Sequence, residues 1–406
     1  MKHPAPLPLE EAQARLIALA QIMPGETIPV ELAAGRVLAE PLAARRTQPP
    51  ADLSAMDGYT VRAGDSSGPW RIVGESAAGH PFSGSLSAGE AVRISTGALM
   101  PADADCVILQ EDVARDGDRL TLTGDGPDPE DKHVRRRGLD FLSGEAIMAA
   151  GTRLGPAQLA LAISAGHAEV SVHRLPRVAI IDSGDELASS PSQCALHQIP
   201  ASNGAMLAAM LRESGCEARR IGPVADDLDA LRTAFANTGD CEVIVTSGGA
   251  SVGDHDLVRP ALESLGAHID FWRVAIKPGK PLLIATLERN QGRQIIVGLP
   301  GNPVSSFVTA YLFALPLLRA MMGHASPLPR SFETRSASLL RAIGSRREFV
   351  RGYWDGESVT AMTVQDSGAL ASLAASNVLI DRPANAPATA PGETIRVYLT
   401  GNGGIA

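Results

Sequence analysis

Residues 246–256 read TSGGASVGDHD and follow directly on the apolar run Val243-Ile244-Val245. Glycines let backbone N–H groups turn toward a ligand and let that ligand come close, so the stretch suits an anion. Its closing acids, Asp254 and Asp256, suit a cation between them and the anion, or the handling of a proton or water. Three more apolar runs end in similar loops: DSGDEL (182–187), KPGKP (277–281) and LPGNPVS (299–305). Open α/β sheets bind ligands at the carboxyl ends of their strands, and four such loops on one rim point to a site more strongly than any one alone.

The charged residues divide into complementary sets. Glu186, Asp226 and Asp256 fall at or near that rim, and Asp57 and Asp140 lie in SAMDGY and RRRGLD. Acids beside Gly-rich strand ends suit a hard cation such as Mg²⁺, which takes one or two carboxylates plus substrate phosphate. The cations stand beside turns: Lys277 and Lys280 around Pro278-Gly279, Arg135–Arg137 before Asp140, and Arg346, Arg347 and Arg351 around Glu348-Phe349-Val350. Such clusters are placed to grip a small oxyanion. The chain has no G-x-G-x-x-G, P-loop or H-E-x-x-H pattern, and no G-x-S-x-G elbow with a plausible triad, which removes support for nicotinamide, P-loop, zinc-protease and serine-hydrolase chemistry.

The elements that must hold these residues follow from the apolar pattern. Over 177–326, strands alternate with helices, as expected for a mostly parallel sheet covered on both faces, a three-layer α/β domain. Ser202-Asn203-Gly204 and Asp226-Asp227 read as helix caps. A buried helix is expected over roughly 304–322. Its most apolar part, Phe307–Leu318, is broken by Pro316 and is too short to cross a bilayer. Residues 8–20 place Leu9, Ala12, Leu16 and Leu19 on one helical face, and a second helical patch is expected near 30–39. Short runs between turns make 46–149 an inserted small β domain and 327–406 a C-terminal β domain. Residues 1–45 and 150–176 form a helical linker between them.

The 406 residues carry a net charge of -9, which disfavours a nucleic-acid surface. The four cysteines form no C-x-x-C pair and no secretory leader is visible, so the chain reads as cytoplasmic, with no membrane span.

Eight motifs occur in order: SAMDGY (54–59), ISTGA (94–98), RRGLD (136–140), GDEL (184–187), TSGGASVG (246–253), AIKPGKP (275–281), LPGNPVS (299–305) and RREFVRG (346–352). In this the chain resembles the MoeA family of molybdopterin molybdenumtransferases, to which the gephyrin E domain is related, over nearly its whole length. The resemblance implies a homodimer of four-domain subunits with a β-barrel-like C-terminal domain, the linker serving dimerisation. It implies insertion of molybdate into adenylyl-molybdopterin with release of AMP and a requirement for Mg²⁺. By the same resemblance Asp226 and Asp256 place the metal, and Ser247, Gly248, Gly249 and Ser251 face the pterin phosphate. Lys277, Lys280, Ser305, Arg351 and Ser372 hold molybdate, while Asp57, Thr96, Asp140 and Glu186 line the cleft. The adenylyltransferase acting before it and molybdoenzyme maturation proteins are the implied protein partners. The competing readings are a molybdopterin adenylyltransferase and a non-catalytic scaffold. Five positions depart from the family pattern: Ala51, Leu99, Asp103, and Asp182-Ser183, which stand where Ser-Thr is common.

Overall fold

A computed structural model describes residues 5–248, 257–289 and 292–401. By contact the chain divides into two units, Met1–Glu26 with Gly35–Ala39 and Val172–Ala406, and Thr27–Ala34 with Glu40–Ser171.

The first unit is built on a six-stranded sheet. Its order is Glu217–Val224, Arg177–Ser183, Val243–Ser247, Gly292–Leu299, Pro281–Arg289, His268–Arg273. The first four strands are parallel, and the last two add antiparallel pairings at one edge. The central strands are apolar on both faces because both are covered. Val178, Ile180, Val243, Val245, Ile295 and Val297 enter one core with the helices Asn203–Glu213 and Pro303–Met321. Their sequence neighbours Ala179, Ile181, Ile244 and Ile296 enter the other, with Leu231, Phe235 and Leu262 of the helices Leu228–Ala236 and Val258–Ser264. This two-residue alternation is the strand period.

The same unit holds a closed β sheet. The strand Arg347–Trp354 pairs with both Ser358–Ala361 and Val378–Arg382, and the ring is completed by Ser331–Ser336 and Thr394–Leu399. Phe349, Leu373 and Leu379 from this region share the core of the α/β sheet. The short strand Ile276–Lys277, from the KPGKP turn, pairs in parallel with Arg347-Glu348. Arg347, expected among the oxyanion-gripping cations, instead makes a two-pronged ion pair with Asp381, both bonds 2.6 Å, and a further one with Glu10.

Two helical expectations change. The helix expected over 304–322 is present as Pro303–Met321 and runs on through Pro316; what changes is that its length and composition would suffice for a membrane span, but it is 89% buried as a core helix. A π segment, Ala310–Ala314, precedes the proline. Proline has no N–H, so the carbonyl four residues earlier, that of Leu312, loses its helical donor. Gln13 Nε2 supplies one instead, donating to Leu312 O at 2.8 Å from the buried face of the helix Leu9–Ile17. Near 30–39 the chain forms one 3₁₀ turn, Val30–Leu32, and not a helix. Gly35 stops it at φ 78°, a left-handed conformation.

The second unit carries its own six-stranded sheet, ordered Cys106–Leu109, Gly58–Val61, Glu90–Ile94, Trp70–Ser76, Arg119–Leu122, Val113–Asp116. Tyr59, Val61, Trp70, Ile108 and Leu120 form its core. Asp103, which stands where the family has glycine, has φ 66°. Aspartate is among the few side chains that tolerate that region, so the departure is absorbed locally.

Candidate active site

The parallel strands of the first unit end on one rim, and there a cavity of about 820 Å³ opens. All four loops picked out from the sequence reach it: Asp182, Ser183, Glu186 and Leu187; Ser247 and Gly248; Pro281; and Pro300 to Pro303. Two further segments complete the wall. One is 199–203, which leads into the helix Asn203–Glu213, and the other contributes Gly368 and Leu370 from the C-terminal region.

The geometry of the floor follows from the strand ends. Gly248 adopts φ 98°, which turns the chain sharply after the buried strand Val243–Ser247. Asn203 Nδ2 donates to Ser247 Oγ at 2.9 Å and to Gly301 O at 2.7 Å. It thereby ties three rim segments together. On the other wall Asn302 Nδ2 donates to Ser367 Oγ at 3.1 Å, and Val304 N donates to Ser367 O at 3.0 Å. The cavity is thus lined by the serines Ser183, Ser202 and Ser247 together with the apolar Leu187, Ile199, Pro200 and Leu370. That is the mixture expected of a small-molecule site.

The acids fall into three places. Asp226 and Asp185 face each other across two loops. Asp226 N donates to Asp185 Oδ1 at 3.0 Å, and Asp185 N donates to Asp226 Oδ2 at 3.4 Å. Asp227, not Asp226, caps the following helix, accepting from Ala230 N. Glu186 lies on the cavity rim itself. Asp57 belongs to the second unit, where Thr96 N donates to its Oδ1 at 2.7 Å and holds its carboxyl below the usual range. Asp140 is exposed in that same unit. Among the described residues no three His, Cys, Asp or Glu side chains converge as a metal cage. The Asp185–Asp226 pair does supply the one or two carboxylates that Mg²⁺ takes when phosphate and water fill its other positions. Gly249, Ser251 and Asp256 lie outside the described residues.

Other expected ligands do not line the cavity among the described residues. Lys277 Nζ pairs with Glu348 at 3.0 Å, and Lys280 is exposed. Ser305 is buried within the long helix. Arg351 is 1% exposed, and its Nη2 donates to Val364 O and Asp366 O at 2.9 and 3.0 Å. Ser372 Oγ donates to the same Val364 carbonyl at 2.7 Å. Both side chains therefore hold the segment that carries Gly368 and Leu370 to the cavity wall. Burial lowers the pKa of the Arg351 guanidinium, and its Nε has no hydrogen-bond partner among the described residues.

Ser202, Asn203 and Asn302 are cavity residues that the sequence reading did not single out as such. SerAsnGly resembles any helix start. Its cavity role arises from the pairing of Leu187-Ala188 with Ile199-Pro200, which folds 189–198 back beside the strand end.

Sequence models of known families match in three consecutive blocks. The MoeA N-terminal region (domain I and II) matches residues 7–166, a probable molybdopterin binding domain 179–320, and the MoeA C-terminal region (domain IV) 335–400. A molybdopterin molybdenumtransferase of Haemophilus influenzae is 34% identical, covering 88% of each chain. The chain belongs to the MoeA family. A Nostoc relative of the same name is 35% identical over 88% of this chain and 85% of its own. A crystal structure of the molybdopterin biosynthesis MoeA protein from Pyrococcus horikoshii OT3 has a TM-score of 0.83 at 26% identity, covering 97% of this chain and 100% of that one. A second MoeA protein structure gives 0.78 at 29%, with 98% and 100% covered. The MoeA family thus accounts for the α/β core and the closed C-terminal sheet alike, and the cavity falls largely within the block matched by the molybdopterin-binding model.

Proposed function

We propose that this chain inserts molybdate into the dithiolene of adenylyl-molybdopterin and releases AMP. The observation that carries the reading is the cavity at the strand ends, lined by serines and apolar side chains and lying largely within the domain matched as molybdopterin-binding. Ser183, Ser247 and the Gly248 turn receive the phosphate end of the cofactor. Asp226 with Asp256 holds Mg²⁺, with Asp185 as neighbour. When bound, the ion neutralises charge on the bridging phosphates. Molybdate and the phosphates are both anionic, so in this reading Lys277 and Lys280 of the KPGKP turn offset their repulsion, and Arg351 adds its charge from behind the segment it holds. Asp57, Thr96, Asp140 and Glu186 complete the cleft in this reading, with 1–45 plus 150–176, 46–149, 177–326 and 327–406 as its four domains. The test is direct: purified protein with adenylyl-molybdopterin, molybdate and Mg²⁺ is expected to release AMP. Absence of AMP, or consumption of ATP with plain molybdopterin instead, overturns it.

The same reading includes a cytoplasmic homodimer. The helix Pro156–Ser164, PAQLALAIS, carries no charge, yet only Ala162 in it is buried. Ile163 is 52% exposed, and Leu32 of the neighbouring 3₁₀ turn is 72% exposed. An apolar surface of this kind fits an interface between copies. Sedimentation is expected to give twice the mass of one chain, and Leu32→Glu with Ile163→Glu to give a monomer. A wild type that sediments as a monomer while fully active would remove the dimer.

A further inference from the structure

Asp182 ends the strand Arg177–Ser183 beneath the cavity and is 1% exposed. Its surroundings satisfy only half of it. Arg220 Nη2, from the neighbouring strand, donates to Oδ2 at 3.1 Å, and the Gly204 amide also bears on the carboxyl. The other oxygen, Oδ1, is buried without a hydrogen-bond partner among the described residues. Ser247 lies beside Asp182 in register on the next strand, and its hydroxyl accepts from Asn203. The neighbouring helix is shaped around the carboxyl as well. A Cβ on Gly204 would fall 1.9 Å from Asp182 Oδ2. A buried, half-satisfied carboxyl is unfavourable for folding and needs another reason to be present.

Such a group accepts hydrogen bonds and offers nothing attractive to a phosphate or molybdate. Its match is a donor edge. The pyrimidine ring of a pterin presents an amino group beside a ring N–H, two donors side by side that a carboxylate meets in parallel. We propose that Asp182, held by Arg220 and given room by Gly204, recognises the amino and ring N–H edge of the pterin and so selects and orients the cofactor. This rests on the reading that the cavity binds adenylyl-molybdopterin. It places the acid at the heterocycle and leaves the anionic end of the ligand to the serines and the glycine turn. The broad second torsion of aspartate lets either oxygen swing toward the cavity.

The test compares two ligands. Asp182→Asn is expected to weaken binding of adenylyl-molybdopterin roughly ten- to a hundredfold and leave AMP affinity unchanged. Gly204→Ala, which displaces the carboxyl without changing it, is expected to show the same selective loss. Burial raises the Asp182 pKa, with Arg220 only partly opposing it. A carboxyl raised in the fold contributes stability at low pH that is lost as pH rises through its folded value. Asp182→Asn is therefore expected to melt no lower than wild type at pH 7, and its relative advantage to shrink on acidification. Unchanged affinity for both ligands, or equal loss for both, overturns the proposal. If the wild type holds AMP but not adenylyl-molybdopterin, the reading of the cavity fails along with it. If the wild type releases AMP normally and Asp182→Asn binds the cofactor as tightly, only this assignment fails.

Discussion

Asp226→Asn is expected to stop AMP release almost completely while the protein stays folded and still binds its cofactor. Asp226 is exposed at the rim, and its side-chain oxygen accepts from the Asp185 amide. Asparagine keeps that oxygen and removes the charge, so the melting temperature should hold within a degree or two. Charge that acts on the developing transition state appears in turnover more than in binding. Loss of a comparable stabilising group costs about 100- to 1000-fold in rate. Asp256→Asn should behave alike, and chelation of the wild type should reproduce both. Raising Mg²⁺ should partly rescue the variants if the acids hold the ion. The measurements are AMP released per minute across a Mg²⁺ titration and a thermal melt. Normal AMP release by Asp226→Asn would mean that this acid is a loop fastener and nothing more.

Arg351→Ala should affect stability and chemistry together. The side chain is 1% exposed and donates to the Val364 and Asp366 carbonyls, the first of which also accepts from Ser372. Truncation removes both bonds and leaves a void, at a cost of about 2–5 kcal/mol, which should show as a melting point many degrees lower. The segment that brings Gly368 and Leu370 to the cavity would then lose its anchor. Arg351→Lys separates the two roles. It keeps the charge and most of the volume, but an ammonium cannot reproduce the planar fork. It should fold, and its half-maximal molybdate concentration should rise roughly tenfold or more, the equivalent of about 1.4 kcal/mol. A stably folded Arg351→Lys with wild-type molybdate dependence would make Arg351 a loop anchor alone.

The rim was legible because its strands are unambiguous. Runs such as Val243-Ile244-Val245 are too apolar for a surface, and the glycines and prolines after them mark where the chain must turn. Residues that join the site through tertiary pairing were not legible. Asn203 reads as a helix start until Ser247 and Gly301 are seen to accept from it. Arg347 and Arg351 look alike in the sequence, as cations flanking one strand. The first is consumed by Asp381 and Glu10, the second by carbonyls of a later loop. The expected helix over 304–322 is there, but how it carries Pro316 was not legible, because the donor that serves the Leu312 carbonyl comes from 299 positions away.

That repair bears on how the chain is made. Leu9–Ile17 is made long before its partners, the last turns of Pro303–Met321 and the carbonyl of Leu312. At roughly 5–20 residues per second, about 15–60 s separate the synthesis of the two segments. During that interval Leu9, Ala12 and Leu16 have no core to enter, although the intervening β unit has already been completed. The growing chain therefore carries the Leu9, Ala12 and Leu16 stripe without its helical cover, a natural target for a holding chaperone, until Pro303–Met321 is made.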